Sequence, residues 1–495
     1  MPPKKLLTLI LTSLLTILIL PNILQATPIQ VTIDQSLVTF PNNIHPENIS
    51  DRVLVPARGV FESLGFEVYW NDLVQQVTLT SSDYEIILTI GSTTFTINGT
   101  PYQLEVPAQI LHGGTTFLPL RHPLEAIGYT LTWDGATQTV QILTTTPALA
   151  WIHGFYAFGS FAQRGLIHDM DSVSFGWSVM QWDAEGGARL NTSAAGNNEW
   201  HIPVGYELIA NYPRQHGVRT HLNVFMDTSI GLNDLMACES SRSQAVNAIM
   251  NELQRIYLGI ERSPFDGVTI NFEGLRGEAA RAQFNAFLTE LSSYLRANSM
   301  TLYVTVHPTT IDGIYFDGYD FRTIGRLADR VILMTHDYHP RQIPTELLDT
   351  EWQRHAALTP IDEIRRALES ITHPETGVED RSKIAIAFSF QNVGWRVDEN
   401  NRVTSPTPIT VSAETVLARM AQHDTIFGWS EVHQNPYLIY TTEMGERIFL
   451  WYQDSRSVAA KIQLARSFGI NGASVWRMGI VPNSAGWDVW DNFAR

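Results

Sequence analysis

Cysteine is nearly absent from this 495-residue chain: Cys238 stands alone, which excludes an intramolecular disulfide framework. Stability must come from core burial, which a chain of this length can supply. Positive charge is scarce as well, with 33 Lys and Arg against 50 Asp and Glu and a net charge of -17. No nucleic-acid partner is expected, because such binding needs a basic footprint. An apolar run long enough to span a bilayer is missing from the N-terminus. Leu6–Leu20 follows Lys4 and Lys5 and is stopped by Pro21, short of the roughly 20 residues a span requires. It reads as the core of a signal peptide over residues 1–26, cleaved after Ala26. A secreted or envelope-associated protein is the expectation, with an uncleaved membrane anchor as the alternative.

What the chain does contain is concentrated in Phe265–Gly274, which reads FDGVTINFEG. Val268, Ile270 and Phe272 alternate with Thr269, Asn271 and Glu273. Residues two apart in a strand share a face, so one face is apolar and the other polar, ending in a carboxylate. Helical patterns flank the segment, which predicts a parallel strand covered on both sides. Burying three polar side chains costs free energy unless they are satisfied. A barrel strand with its acid at the C-terminal mouth meets that condition.

The length predicts two or more domains. Residues 55–70, VPARGVFESLGFEVYW, are repeated at 118–133 as LPLRHPLEAIGYTLTW. Pro56, Arg58, Glu62, Gly65 and Trp70 match Pro119, Arg121, Glu125, Gly128 and Trp133 at one constant offset. Each copy predicts a short helix, a Gly cap and a strand ending in Trp, then a second strand at Val77–Thr80 or Val140–Leu143. Arg and Glu four apart suit an intrahelical ion pair. Residues 30–145 thereby resemble the copper amine oxidase N-terminal-like domain, a stalk module. Nothing resembles the oxidase catalytic domain, and no copper is expected.

From residue 150 the pattern becomes α/β. Eight strands are predicted: Trp151–Phe158, Ser172–Gln181, Thr220–Phe225, Gly267–Phe272, Leu302–Val306, Val331–Thr335, Ile384–Phe390 and Gly472–Val475. A helix over Glu278–Asn298 aligns Phe284, Phe287, Leu288, Leu291 and Leu295 on one face. The expected architecture is a (β/α)8 TIM barrel over 150–495. A small α+β insertion is expected after strand 7, with strands near Tyr437–Thr441 and Arg447–Trp451. The duplicated small α+β domain precedes it.

DGVTINFE resembles the DxxDxDxE signature of glycoside hydrolase family 18. LMTHDYH (333–339) resembles the family's sixth-strand MxYD motif, and GFYAFGSF its aromatic first strand. Residues 450–479, LWYQDSRSVAAKIQLARSFGINGASVWRMG, resemble the barrel end of the branch that includes spore-cortex-lytic N-acetylglucosaminidases. The resemblance implies a retaining, substrate-assisted mechanism in which the substrate's acetamido oxygen attacks the anomeric carbon. Glu273 matches the general acid, whose pKa must be raised. The bland alternative for Glu273 is a strand-end ion pair.

Three positions depart from the family pattern. Asn271 replaces the Asp that orients the acetamido group, keeping a carbonyl acceptor but losing the charge. Thr269 replaces the Asp before it, and His336 replaces the sixth-strand Tyr. Asp337 is retained. Asp266 and Gly267 match the motif's structural opening. Trp476 matches the Trp beneath the sugar ring, and Tyr156, Trp182 and Trp395 are candidate cleft walls by position. Core packing is the competing role for these aromatics. The spacing of His307, His336, Asp337 and His339 fits no standard metal motif, so no metal is expected, and the substrate-assisted mechanism that the resemblance implies needs no cofactor.

The function implied is hydrolysis of β-1,4 bonds in glycans containing N-acetylglucosamine, with peptidoglycan or spore cortex ahead of chitin. One alternative is a catalytically decayed barrel acting as a cell-wall glycan-binding protein. Another is a wall-associated scaffold held at the wall through the N-terminal domain. Pull-down on insoluble peptidoglycan separates binding from scaffold, and product release separates hydrolysis from binding.

Overall fold

The structure, a computed structural model, describes residues 28–493 except 41–43, 82, 136, 145–147, 258–262, 312–313, 349–356 and 485–486. The expected signal peptide lies outside the described residues. No helix among the described residues is long and apolar enough to cross a membrane. The chain divides into two compact units, Met1–Thr146 and Pro147–Arg495.

Among the described residues the N-terminal unit is mostly β, with two short helices. In the first copy of the repeat, helix Ala57–Ser63 is followed by Gly65 at φ 85° and strand Glu67–Asn71. In the second, helix Arg121–Glu125 is followed by Gly128 at φ 93° and strand Thr130–Asp134. Both glycines occupy the left-handed region that a side chain disfavours, as a helix stop requires. Arg58 pairs with Glu62 at 3.9 Å and Arg121 with Glu125 at 3.1 Å. The strands leading into the two helices, Arg52–Pro56 and Thr115–Pro119, pair antiparallel with Val55 opposite Leu118. The copies are thus joined at equivalent positions, and Val55, Val60, Phe61, Leu118 and Leu124 share one core.

The larger unit is a closed parallel barrel. Its strands are Trp151–Tyr156, Ser172–Asp183, Arg219–Asp227, Gly267–Glu273, Thr301–Val306, Arg330–Met334, Ile384–Ser389 and Gly472–Trp476. Each pairs in parallel with its neighbours, and the first pairs with both the second and the eighth, which closes the ring. All eight predicted strands are present, with ends moved by one or two residues. The insertion after the seventh strand is an antiparallel five-stranded sheet with helix Ala413–Met420.

The alternation read in the fourth strand divides two cores. Val268, Ile270 and Phe272 are wholly buried on the outer face. They pack with Phe284, Phe287 and Leu288 of helix Gly277–Ala297. The Phe272 ring stacks on Phe287 at 5.4 Å between centroids. On the inner face Thr269 Oγ1 hydrogen-bonds Ser174 Oγ at 2.6 Å and His221 Nδ1 at 3.2 Å. His221 Nε2 reaches Thr301 Oγ1 at 2.8 Å, and its ring stacks on Tyr303. Burial pushes His221 down to about 3, so it serves as a neutral packing element. Gly267 is required by proximity, since a Cβ there would collide with the Thr301 carbonyl.

Phe272→Ala should destabilise the barrel by about 3–5 kcal/mol, the usual cost of emptying a buried Phe site. Denaturant unfolding would measure this. A loss below about 1 kcal/mol would show that the outer face is not closely packed.

Candidate active site

The C-terminal ends of the strands open into a cleft of about 720 Å³. Glu273 stands at its floor, at the last position of the fourth strand, beside Asp227 in register on the third. About a third of its side chain is exposed. Burial of the carboxyl pushes Glu273 up from the ordinary 4.5 to about 7. A hydrogen bond from Asn271 and the nearby His336 oppose that shift, while Asp227 and Asp337 reinforce it.

Asn271 lies one inward step below, 3% exposed. Its Oδ1 accepts from Thr305 Oγ1 at 2.5 Å. The amide therefore bridges the fifth strand and the acid. His307 Nε2 is 4.0 Å from Glu273 Oε2. The two do not form an ion pair near neutrality, because burial holds His307 down at about 4. The His307 ring stacks on Phe316 at 4.3 Å.

Beyond the sixth strand, His336 Nδ1 and Asp337 Oδ2 are 2.8 Å apart. Burial pushes Asp337 up, but His336, His339 and Ser389 outweigh it and hold the carboxyl below its usual range. Asp337 has φ 59°, a backbone conformation that is unfavourable for most L-residues and concentrates at functional positions.

The other side of the cleft is aromatic. Trp476 ends the eighth strand, stacking on Trp200 at 5.6 Å and meeting Phe155 edge-on at 5.1 Å. Trp200 stacks in turn on Phe225 at 4.8 Å, with the ring planes nearly parallel. Gly176 makes room, since a Cβ there would sit 3.2 Å from the Trp200 ring. An acid protonated near neutrality, an amide beside it and an aromatic wall suit recognition and protonation of a sugar linkage.

The sequence pattern described as Glycosyl hydrolases family 18 matches residues 213–480. The chain belongs to that family. Residues 32–142 match the Copper amine oxidase N-terminal domain. The Cortical fragment-lytic enzyme of Bacillus subtilis (strain 168) is 23% identical over 232 residues, 46% of this chain and 50% of that one. The chain thus matches about half the length of the first curated relatives. The spore cortex-lytic enzyme SleL of Bacillus cereus aligns with a TM-score of 0.53 at 17% identity, covering 79% of this chain and 80% of that one. A chitinase from Chromobacterium violaceum ATCC 12472 gives 0.54 at 18%, covering 70% and 98%. At these identities the structural likenesses speak for the fold alone.

In this family 18 chain the cleft brings together Glu273, Asn271, His336, Asp337 and Trp476. Four other expectations are corrected. Tyr156 is 5% exposed and points outward, because the inward residues of the first strand are Trp151, His153 and Phe155. Phe155 lines the cleft in its place. Trp182 lies where the second strand continues as a hairpin with Gly187–Asn191, and its Nε1 donates to Ser241 Oγ of helix Glu239–Gln254. Trp395 is fully buried in the core of the insertion with Phe449 and Trp451. Thr269 is fully buried beneath Asn271 and cannot reach a substrate.

Asp266 and Gly267 sit at the opposite end of the strand from the cleft, where Asp266 binds Arg214 at 2.7 Å and the Thr220 amide at 3.0 Å. Trp200, Phe225, Asp227, Thr305, Phe316, Arg276 and Arg341 line the cleft or support it without having been singled out. Parity along the third strand could have found Phe225. Trp200 is on a loop without periodicity and left no comparable signal.

The raised pKa of Glu273 has a stability consequence. Between pH 4.5 and about 7 the unfolded chain has released a proton that the folded carboxyl still holds. Stability therefore falls as pH rises through that window. Glu273→Gln lacks this titration, so its melting temperature should gain on the wild type's between those two pH values. A constant difference across the window would place Glu273 at its ordinary pKa.

Proposed function

We propose that this chain is a retaining glycosidase that cleaves β-1,4 bonds in glycans containing N-acetylglucosamine, with peptidoglycan or spore cortex ahead of chitin. Glu273 is the general acid/base. The observation that carries this reading is Glu273 at the cleft floor with a pKa of about 7, which makes both protonation states accessible near neutrality. The names of the relatives supply the order of substrates.

In the first step Glu273 gives its proton to the glycosidic oxygen as the bond to the anomeric carbon breaks. The substrate's acetamido oxygen forms the new bond to that carbon. Water then opens the cyclic intermediate and returns a proton to Glu273. Trp476 lies beneath the ring. Asp337 holds His336 through Nδ1, which leaves Nε2 as the ring nitrogen free to meet the acetamido group. Asn271 orients Glu273 through its amide.

A second reading, glycan binding without turnover, draws support from Asn271. Its carbonyl is engaged by Thr305, so contact with the acetamido N–H would compete with an existing hydrogen bond.

Reducing-end release from purified peptidoglycan and from N-acetylglucosamine oligomers separates the two. Glu273→Gln should lower kcat by roughly 10²–10⁴, the usual range for a general acid. Turnover should survive chelation, since the acetamido mechanism uses no metal. Binding without product release from wild type would leave only the second reading. Activity abolished by chelation and restored by zinc would overturn the mechanism.

A further inference from the structure

We propose that the cleft has two chemically distinct walls and that Arg276 and Arg341 make it selective for glycans bearing a carboxylate, such as the lactyl group of muramic acid. This rests on the glycan-cleaving reading above and goes beyond it by naming the substituent recognised and the residues that recognise it.

One wall is built by the eighth, first and third strands, whose Trp476, Phe155 and Phe225 combine with Trp200 into the aromatic surface already described. Such a surface covers the apolar faces of sugar rings and reads no charge. The other wall follows the fourth to sixth strands. Arg276 comes three residues after Glu273, with its guanidinium 5.3 Å from the centre of the Phe316 ring. Arg341 comes four residues after Asp337. Both are exposed and both line the cleft.

Acids outnumber bases 50 to 33 in this chain, and several other arginines of the barrel are in ion pairs. Arg214 pairs with Asp266, Arg281 with Asp317 and Arg322 with Glu379. Among the described residues neither Arg276 nor Arg341 is in a salt bridge, although carboxyl groups line the same cleft. Those groups are partly engaged or hold a proton. Asp227 accepts from the Ser229 amide and hydroxyl, Asp337 is held by His336, and Glu273 keeps its proton up to about 7. The two guanidiniums are left facing the space a substrate would fill.

A chain of N-acetylglucosamine alone is neutral and offers them only hydroxyls and amides. Where no peptide is attached, the muramic acid of an alternating glycan presents a carboxylate on a lactyl ether, which the planar guanidinium fork can bind through two parallel hydrogen bonds.

The test uses the full chain carrying Glu273→Gln, so that ligands are not consumed, and isothermal titration calorimetry. Three tetrasaccharides are compared: alternating N-acetylglucosamine and N-acetylmuramic acid with free carboxylates, the same compound as its methyl ester, and the N-acetylglucosamine tetramer. The free acid should bind about tenfold or more tightly than the ester at low salt, with the ratio shrinking as salt is added. Adding Arg276→Gln and Arg341→Gln should bring that ratio close to one. A ratio near one in the parent, or one that survives both substitutions, overturns the proposal. If the ester and the neutral tetramer bind and the acid gains nothing, this inference alone fails. If none of the three binds, the glycan reading fails with it.

Discussion

Closure of the barrel forces every inward side chain of eight strands into one narrow interior, where a polar group is costly unless it finds a partner. The fourth strand shows how the constraint is met. Its outer residues Val268, Ile270 and Phe272 lie against helix Gly277–Ala297, while Thr269 is satisfied by Ser174 and His221. Because the period is two, the same alternation that buries Thr269 sets Asn271 just under the rim and Glu273 at it. Shifting the strand by one residue would place Phe272 in the cleft and turn the acid toward the helices. Position at the mouth and packing against the helices are therefore one geometric fact.

The same parity explains what was legible beforehand. The eight strands are legible from alternation and from the helices between them, and the fourth strand's motif points to Glu273, which lies in the cleft. The strand period also separates two neighbours in the first strand: Phe155 is on the inner face, while Tyr156, a candidate cleft wall by position, packs into the outer core. Trp182 and Trp395 failed for a different reason. Each belongs to an excursion beyond the barrel, where an aromatic finds a core of its own in a neighbouring helix or in the insertion sheet. Trp200 was out of reach because its place depends on stacking between Phe225 and Trp476, which join only after the second, third and eighth strands have closed.

Asn271 changes the balance around the acid. An Asp at that position would be a carboxylate 3% exposed, and burying a second charge beside Glu273 would carry a large desolvation cost. The amide avoids that cost and donates to Glu273 while accepting from Thr305. Its donated hydrogen bond favours the ionised acid, so it works against the upward shift. Burial, with help from Asp227 and Asp337, still carries the pKa to about 7. The proton on Glu273 therefore depends on how well the cleft excludes water. The aromatic wall on one side and Phe316 with His307 on the other do that excluding, so their contribution reaches the acid even where they touch no reacting atom. A sugar ring seated between those walls would displace more water and hold the proton more firmly, which would couple binding to the protonation state that the proposed bond cleavage requires.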